Sequence, residues 1–589
     1  MAGQQPGVSR IEAFSRVVQK NSWIFWTFVG FYTASVLASG LDGTTTYSFE
    51  AIAAAGYGEH GQLLGTIAIV TSILRGVATP LTAKICDISS RQTALSIGLA
   101  CYVLGYVLTA ASTTADAFAA GRVLSTMGNT ALEFVSGLIV ADLTPLRWRA
   151  AVTALLSVPW IWFSFAGPYI SGPLIDRPDG WRWGYGIFCI TPVTVIPVIV
   201  FLFLADKKAI AVGELDLSES PYARRYKQLH DGQLPQETIF GVLSRAFVEI
   251  DTIGLFLLAA SFCLLLVPFS IAASQVEGWH TPFIIAMLTL GGVLLFVFFL
   301  YEIKFASEPI MTKRIFFNKT FVLAMIIDTC YFLGGYLTLV YYSSYIYVLK
   351  DWTSSGWATF NNELTVALWF ISGLLMRVTH RYKIIQTVGL CIRTVGLGVT
   401  YYARGKNGST AALVLATMLV GMGGSCSVMG TQVATQASVA HQDLASIKAL
   451  LSLWTTFGGA IGSAIVSAVW TNRMPLNLLK EGVPEDQIAA AYGGFALLHS
   501  YPLEDPIRQA AIRAADRTLE PMYIASIFIS IIAIGAGVMM PNYVLGRSHN
   551  LIDKTDTAGR KLTQEEIEAE TAPVRDTSTR WGRFKSFMF

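Results

Sequence analysis

Long apolar runs alternate with short polar breaks along almost the whole of this 589-residue chain. A helix needs about twenty mostly apolar residues to cross a hydrocarbon layer ~30 Å thick. On that measure the pattern predicts spans at 23–42, 62–83, 92–111, 117–141, 148–172, 183–204, 251–272, 281–301, 319–344, 357–377, 384–403, 411–436, 446–470 and 521–541. The expectation is an all-α polytopic membrane protein of about fourteen transmembrane helices. The polar breaks divide it into a cytoplasmic N-terminal segment (1–22), an N-terminal bundle of six spans (23–204) and a charged cytoplasmic linker (205–250). Two further spans (251–301) follow, then a C-terminal bundle of six spans (302–541) and a polar tail (542–589). A long outside loop is expected at 471–520, in which EDPIRQAAIRAADRTLE has helical periodicity and reads as a surface helix.

Composition sharpens that picture. Charged residues make up 14% of the chain and apolar residues 53%, against roughly 25% charged in a soluble domain. A net charge of +3, with no basic run interleaved with aromatics, gives no footing for nucleic acid. The seven cysteines fall singly in apolar segments without CxxC spacing, so they indicate neither disulfides nor a metal site. The polar start MAGQQPGVSRIEAFSR has no cleavable signal pattern. No GxxxxGK[ST] loop offers a nucleotide site, and nothing points to a cofactor or to an enzyme.

Lys and Arg in the short loops set the orientation. With the N-terminus inside, twelve fall on inner loops (Lys84, Arg91, Arg147, Arg149, Lys304, Lys313, Arg314, Lys319, Arg377, Arg381, Lys383 and Lys448). Five fall on outer ones (Arg177, Arg182, Lys350, Arg404 and Lys406). The bias predicts both termini in the cytoplasm.

Ionisable groups inside spans are expensive and therefore mark function by default. Arg122, Thr126, Asn129 and Glu133 on the fourth span are separated by 4, 7 and 11 residues, which puts them on one helix face. Such a stripe suits a water-filled cavity, with Glu133 as proton carrier and Arg122 holding it ionised when the proton leaves; the plainer alternative is a polar seam between helices. Asp42 in SGLDGTTTYS is either a second proton carrier or a helix-end cap. Asp328, midway along an aromatic span, is a third proton-coupling candidate. Tyr331 and Tyr342 on its side of the helix could line a cavity, or simply pack. Gln432 and Gln436 share a face and read as interhelical hydrogen-bond partners ahead of cavity amides. Arg75 and Arg393 are further intramembrane polar groups. Asp87 and Arg91, four apart at a membrane boundary, suggest a gating latch between bundles; His441 and Asp443 form a less specific pair.

Several stretches carry a resemblance. The run from Lys84 to Arg91 resembles the loop between the second and third helices of the major facilitator superfamily, keeping Asp87 and Arg91 but with Pro80 and Ser90 near positions where glycines are expected. LDGTTTYSFEAIAAAGYG, GWRWGYGIFCITPV, YPLEDPIR and above all the block 423–472 resemble fungal siderophore–iron transporters of that superfamily. The resemblance implies fourteen helices, proton symport at a plasma or endosomal membrane, and import of ferric hydroxamate complexes, with the last outside loop helping to capture them. The iron would stay inside its chelator, so no metal ligands of the protein are needed. GPYISGP (Gly167 to Pro173) is similar to a glycine–proline motif of proton-coupled drug exporters, which leaves an antiporter as an alternative, or a kink at Pro168. A non-transporting nutrient sensor is the alternative from another class; intramembrane acids favour transport.

Overall fold

In the computed structural model of the chain, residues 10–14, 22–57, 60–177, 179–212, 247–248, 250–272, 275, 277–306, 309–310, 313–361, 365–405, 408–440, 443–546 and 552 are described. Among them the structure is helical, apart from one isolated bridge between Arg381 and Val544. The first half runs through α1 (Ser22–Gly56), α2 (His60–Ile88), α3 (Arg91–Ala111), α4 (Ala115–Leu143), α5 (Leu146–Leu155), α6 (Val158–Ile175), α7 (Gly180–Ile187) and α8 (Pro192–Val212). Next come α9 (Thr252–Leu266), α10 (Pro268–Ile271) and α11 (Pro282–Lys304). The second half comprises α12 (Lys319–Leu349), α13 (Ser354–Asn361), α14 (Thr365–Thr379), α15 (Lys383–Ala403), α16 (Thr410–Ala437), α17 (Leu444–Lys480), α18 (Glu485–Gly493), α19 (Phe495–Ser500) and α20 (Pro506–Met539).

Twelve segments among the described residues are long and apolar enough to cross a membrane. The other two expected spans fall on α1 and on the α13–α14 stretch, where 362–364 lie outside the described residues. The expected linker 205–250 begins as the end of α8, and 213–246 also lie outside, as do His441 and most of the tail.

Three expectations are corrected. α1 does not stop at Asp42 but continues fourteen residues further, to Gly56. Turn-prone DGTTT stays helical because Thr44, Thr45 and Thr46 turn their hydroxyls back onto the carbonyls of Gly40, Leu41 and Asp42 at 2.9, 2.8 and 2.8 Å. The fifth span breaks at Leu156 and Ser157, ahead of Pro159, and helix α6 runs on through Pro168. Pro159 sits in the first turn of α6, where a missing N–H leaves no bond unmade. The region 471–520 is not an open loop: α17 reaches Lys480, α20 starts at Pro506, and α18 and α19 lie between. The expected surface helix is the first half of α20, and Arg508 within it is fully buried. Its guanidinium donates to the carbonyls of Val348, Lys350, His499 and Tyr501 at 3.0, 3.1, 3.2 and 2.7 Å, satisfying the open C-terminal end of α12.

The two halves meet along α2 and α17, which pack antiparallel. Gly65 sits against Ser467 and Tyr341, where a methyl group would come within 2.4 Å of the Ser467 hydroxyl. Further along, the hydroxyls of Thr79 and Ser452 lie 3.4 Å apart. The additional helices cover this seam from one side: Phe262 of α9 stacks on Phe457 of α17 at 4.1 Å, and Ser270 of α10 meets Thr66 at 2.9 Å. On the opposite wall α6 meets α13, with Ser354 donating to Asp176 at 2.7 Å.

Candidate functional site

α1 supplies a polar stripe at helical spacing, Ser39, Asp42, Gly43, Thr46 and Glu50. α4 supplies Arg122, Ser125, Thr126, Asn129 and Glu133. With Thr71, Ser72 and Arg75 of α2, Tyr106 of α3, Trp160 of α6 and Tyr336 of α12, they enclose a cavity of about 340 Å³. Most of the lining belongs to the first half of the chain; α12 closes it from the second, so the cavity lies at the junction of the two halves.

The stripe expected on α4 therefore faces the cavity as a unit. Its inner hydrogen bond runs from Asn129 to Glu133 at 3.2 Å, and Glu133 is exposed to the cavity. Arg122 does not lean toward Glu133. It pairs with Glu50 of α1 at 2.9 Å and lies over the Tyr185 ring, 5.4 Å from its centroid. Asp42 is not a cap. It is 3% exposed, and its carboxylate accepts hydrogen bonds from Tyr106 at 2.6 Å, Tyr102 at 2.7 Å and Thr46 at 3.1 Å. Three donors and no cation within ion-pair distance among the described residues make it a carboxylate held by hydroxyls.

Glu50, Tyr102, Tyr106 and Trp160 were not singled out from the sequence. Glu50 follows Asp42 by eight residues and lies on the same face of α1, but that relation exists only once the helix is carried past the DGTTT stretch. Tyr102 and Tyr106 are four apart on α3 and stack on each other with ring centroids 4.4 Å apart. Their spacing was a readable signal; an aromatic pair in an apolar span gives no sign of the acid on another helix that it serves.

The second half behaves differently. Asp328 is 2% exposed and does not reach the cavity; both its oxygens accept from the Thr431 hydroxyl of α16 at 3.0 Å. Tyr331 lies beside Arg393, whose guanidinium donates to the Tyr331 carbonyl at 2.6 Å and sits 4.0 Å from its ring centroid. Tyr342 is buried near Phe360 and Tyr523, and Gln436 is buried on α16. Neither these nor Tyr331 and Gln432 lie on the cavity lining. Of the five residues expected to line a substrate cavity, Asn129 does so.

Asp87 and Arg91 are both buried and pair at 3.6 Å. Arg91 makes closer contacts with Asp142 at the end of α4, at 3.1 and 3.2 Å, and with the carbonyl of Cys86 at 2.9 Å. This cluster ties α2, α3 and α4 together within the first half rather than spanning the halves as a latch. One contact between the halves at this end is made by Lys448 of α17, which donates to the Phe134 carbonyl of α4 at 3.1 Å with its ammonium 4.9 Å from the centroid of that ring. Gly137 makes the approach possible, because a methyl there would stand 2.4 Å from the Lys448 nitrogen. Asp443 pairs with Arg314; its expected partner His441 is outside the described residues.

A family model described as the Major Facilitator Superfamily matches residues 28–299. The siderophore transporter fer7 of Mycosarcoma maydis is 42% identical over 575 residues, covering 96% of this chain and 87% of that protein. The low affinity heme transporter str3 of Schizosaccharomyces pombe is 35% identical over 584 residues, covering 96% and 90%. A siderophore transporter of Zymoseptoria tritici is 34% identical, covering 99% and 90%. Among solved structures, the peptide transporter POT in complex with alafosfalin aligns with a TM-score of 0.50 at 13% identity, over 87% of this chain and 94% of that one. At that identity the likeness speaks for the fold alone.

Proposed function

We propose that this chain, which belongs to the fungal siderophore–iron transporters of the major facilitator superfamily, imports ferric hydroxamate complexes by proton symport. The observation that carries this reading is the cavity between the two halves, in which an accessible acid, Glu133, shares the lining with Asp42 and with the Arg122–Glu50 pair. A bulky polar chelate can enter such a space against Trp160, Tyr106 and Tyr336 while an acid on the same wall takes a proton. Alternating access then follows from one half rocking against the other around a fixed central site. Glu133 is the proton carrier in this scheme, with Asp42 and then Asp328 the alternatives behind it; Asp87 and Arg91 act at the gate by fixing the ends of α2, α3 and α4.

In this proposal the chain crosses the membrane fourteen times, with both termini cytoplasmic, in the plasma membrane or an endosomal one. Epitope tags in 213–246 and at 501–505 would then be reached from opposite faces; labelling of both from one face would reject that topology. The transport reading is tested by uptake of radioiron on several chelators in cells lacking their own carriers, with and without an uncoupler. Chelator-bound iron should accumulate, and the uncoupler should abolish accumulation. Accumulation indifferent to the uncoupler would remove proton symport. One observation favours a second cargo, iron porphyrin: the Schizosaccharomyces pombe relative is named a heme transporter. Competition of haem against the chelates in the same assay separates the two.

A further inference from the structure

Five charged side chains line the cavity, and their partners divide them unequally. Arg122 and Glu50 neutralise each other at 2.9 Å. Asp42 is withdrawn beneath the hydroxyls of Tyr102, Tyr106 and Thr46. Two charged ends stay open to the cavity. One is Glu133, whose carboxylate takes a single bond from Asn129. The other is Arg75, near the middle of α2 and exposed into the cavity. Among the described residues the Arg75 guanidinium has no hydrogen-bond or ion-pair partner; only its backbone carbonyl is engaged, by the Thr79 hydroxyl at 2.7 Å.

An unpaired arginine at that depth is costly, and unlike an acid it cannot shed its charge, because a guanidinium stays protonated at any pH a cell reaches. The Asn129 amide and the hydroxyls of Thr71 and Ser72 on the same lining carry no charge to balance it. With a proton on Glu133, Arg75 is the one charged end left open to the cavity among the described lining residues, because Asp42 is held by its three hydroxyl donors. Its planar fork of N–H groups fits a carboxylate through two parallel hydrogen bonds, a geometry that a lysine or an amide cannot copy.

We propose that Arg75 is the anion-binding residue of the substrate site, and that the preferred cargo is a ferric chelate carrying a free carboxylate. This rests on the reading of the chain as an importer of ferric chelates and narrows it. A neutral trihydroxamate leaves Arg75 to be covered without a partner as the site closes, whereas a carboxylate replaces the water it loses. The proton taken up by the acid and the negative charge on the cargo then travel together, and Arg75 is paired in the loaded state.

The test uses the full-length protein in cells lacking other carriers, with two radioiron probes. One is a neutral ferric trihydroxamate; the other has the same ring and iron centre with acyl arms ending in carboxylates. KM is measured for both, with surface protein quantified for each variant. The wild type should favour the carboxylate-bearing probe. Arg75→Gln should change the ratio of the two KM values by about tenfold, equivalent to about 1.4 kcal/mol. Arg75→Lys, which keeps the charge but not the fork, should recover part of that ratio. Equal losses for both probes in Arg75→Gln, or a wild-type preference for the neutral probe, would overturn the anion site and leave iron-chelate import standing. Uptake of neither probe by the wild type would overturn both.

Discussion

Asp42 and Asp328 look alike in isolation. Each is an acid inside a long apolar helix, each is almost fully buried, and each is held by hydroxyl donors rather than by a cation. Their neighbourhoods set them apart. Asp42 sits at the edge of a cavity shared with Glu50, Arg122 and Glu133, and two tyrosines from α3 brace it. Asp328 faces a packed helix, with Thr431 as its donor and Arg393 engaged elsewhere, on the Tyr331 carbonyl and ring. The first half of the chain has gathered its charges around a space, and the second half has dispersed its charges into packing. The cavity lining thus takes its charged side chains from the first half and uncharged ones, Tyr336, Leu339 and Val340, from the second.

The sharpest way to break this contrast is to neutralise one acid in each half. Glu133→Gln keeps size and hydrogen bonding but removes the titrating group. Uphill accumulation should fall to a concentration ratio near one, while binding and downhill exchange persist. Asp328→Asn should leave accumulation within about twofold of wild type. If Asp328→Asn abolishes accumulation and Glu133→Gln does not, the division of labour is reversed.

The Arg122–Glu50 pair gives the next largest effect. Removing one partner of a secluded ion pair strands the other charge, at a cost of about 3–5 kcal/mol when burial is complete and less in a wet cavity. Glu50→Gln and Arg122→Met should each reduce uptake more than tenfold, and the double substitution should be milder than the sum of the two. Additive losses in that cycle would mean that the pair does not act as a unit.

Hydroxyl donors sharpen the comparison further. A hydrogen bond to a charged group contributes about 1.5–3 kcal/mol, so Tyr106→Phe should depress uptake roughly tenfold by loosening Asp42. Thr431→Val, the matching change beside Asp328, should lower the melting temperature of the purified protein and leave KM unaltered. A shift in KM for Thr431→Val would draw the second half into the site.

The smallest effect is expected at the Asp87–Arg91 pair. Because Arg91 is held by Asp142 as well as Asp87, Asp87→Asn should slow uptake only a few-fold, and Asp142→Asn more. Equal rates for Asp87→Asn and wild type would reduce Asp87 to boundary charge.

The all-helical, membrane-spanning class and the shared face of the α4 stripe could be read from the chain because both depend on local regularities, apolar length and a 3.6-residue period. The extent of α1 could not, since Asp–Gly–Thr ends helices in water, whereas threonine back-bonding inside a bilayer lets this one continue to Gly56. Glu50 was lost with it. Residues 471–520 misled for the opposite reason: their polarity suggests a loop, but Arg508 is buried as a connector among carbonyls rather than as a surface charge. Tyr331 and Tyr342 share a side of their helix with Asp328, as periodicity states; which side faces a cavity is decided by other helices, and one sequence does not record that.

The contact of Lys448 with the Phe134 carbonyl bears on the energy of a transport cycle. A clasp that must open and close on every turnover has to be weak compared with the force that drives it. One charge-assisted hydrogen bond to a neutral carbonyl is worth about 1.5–3 kcal/mol. One elementary charge crossing 100 mV releases about 2.3 kcal/mol. The two match in scale, so in the proposed symport one ion moving down its gradient suffices to undo this clasp. The notch at Gly137 sets how close the ammonium comes to the Phe134 carbonyl, and with it the strength of that clasp.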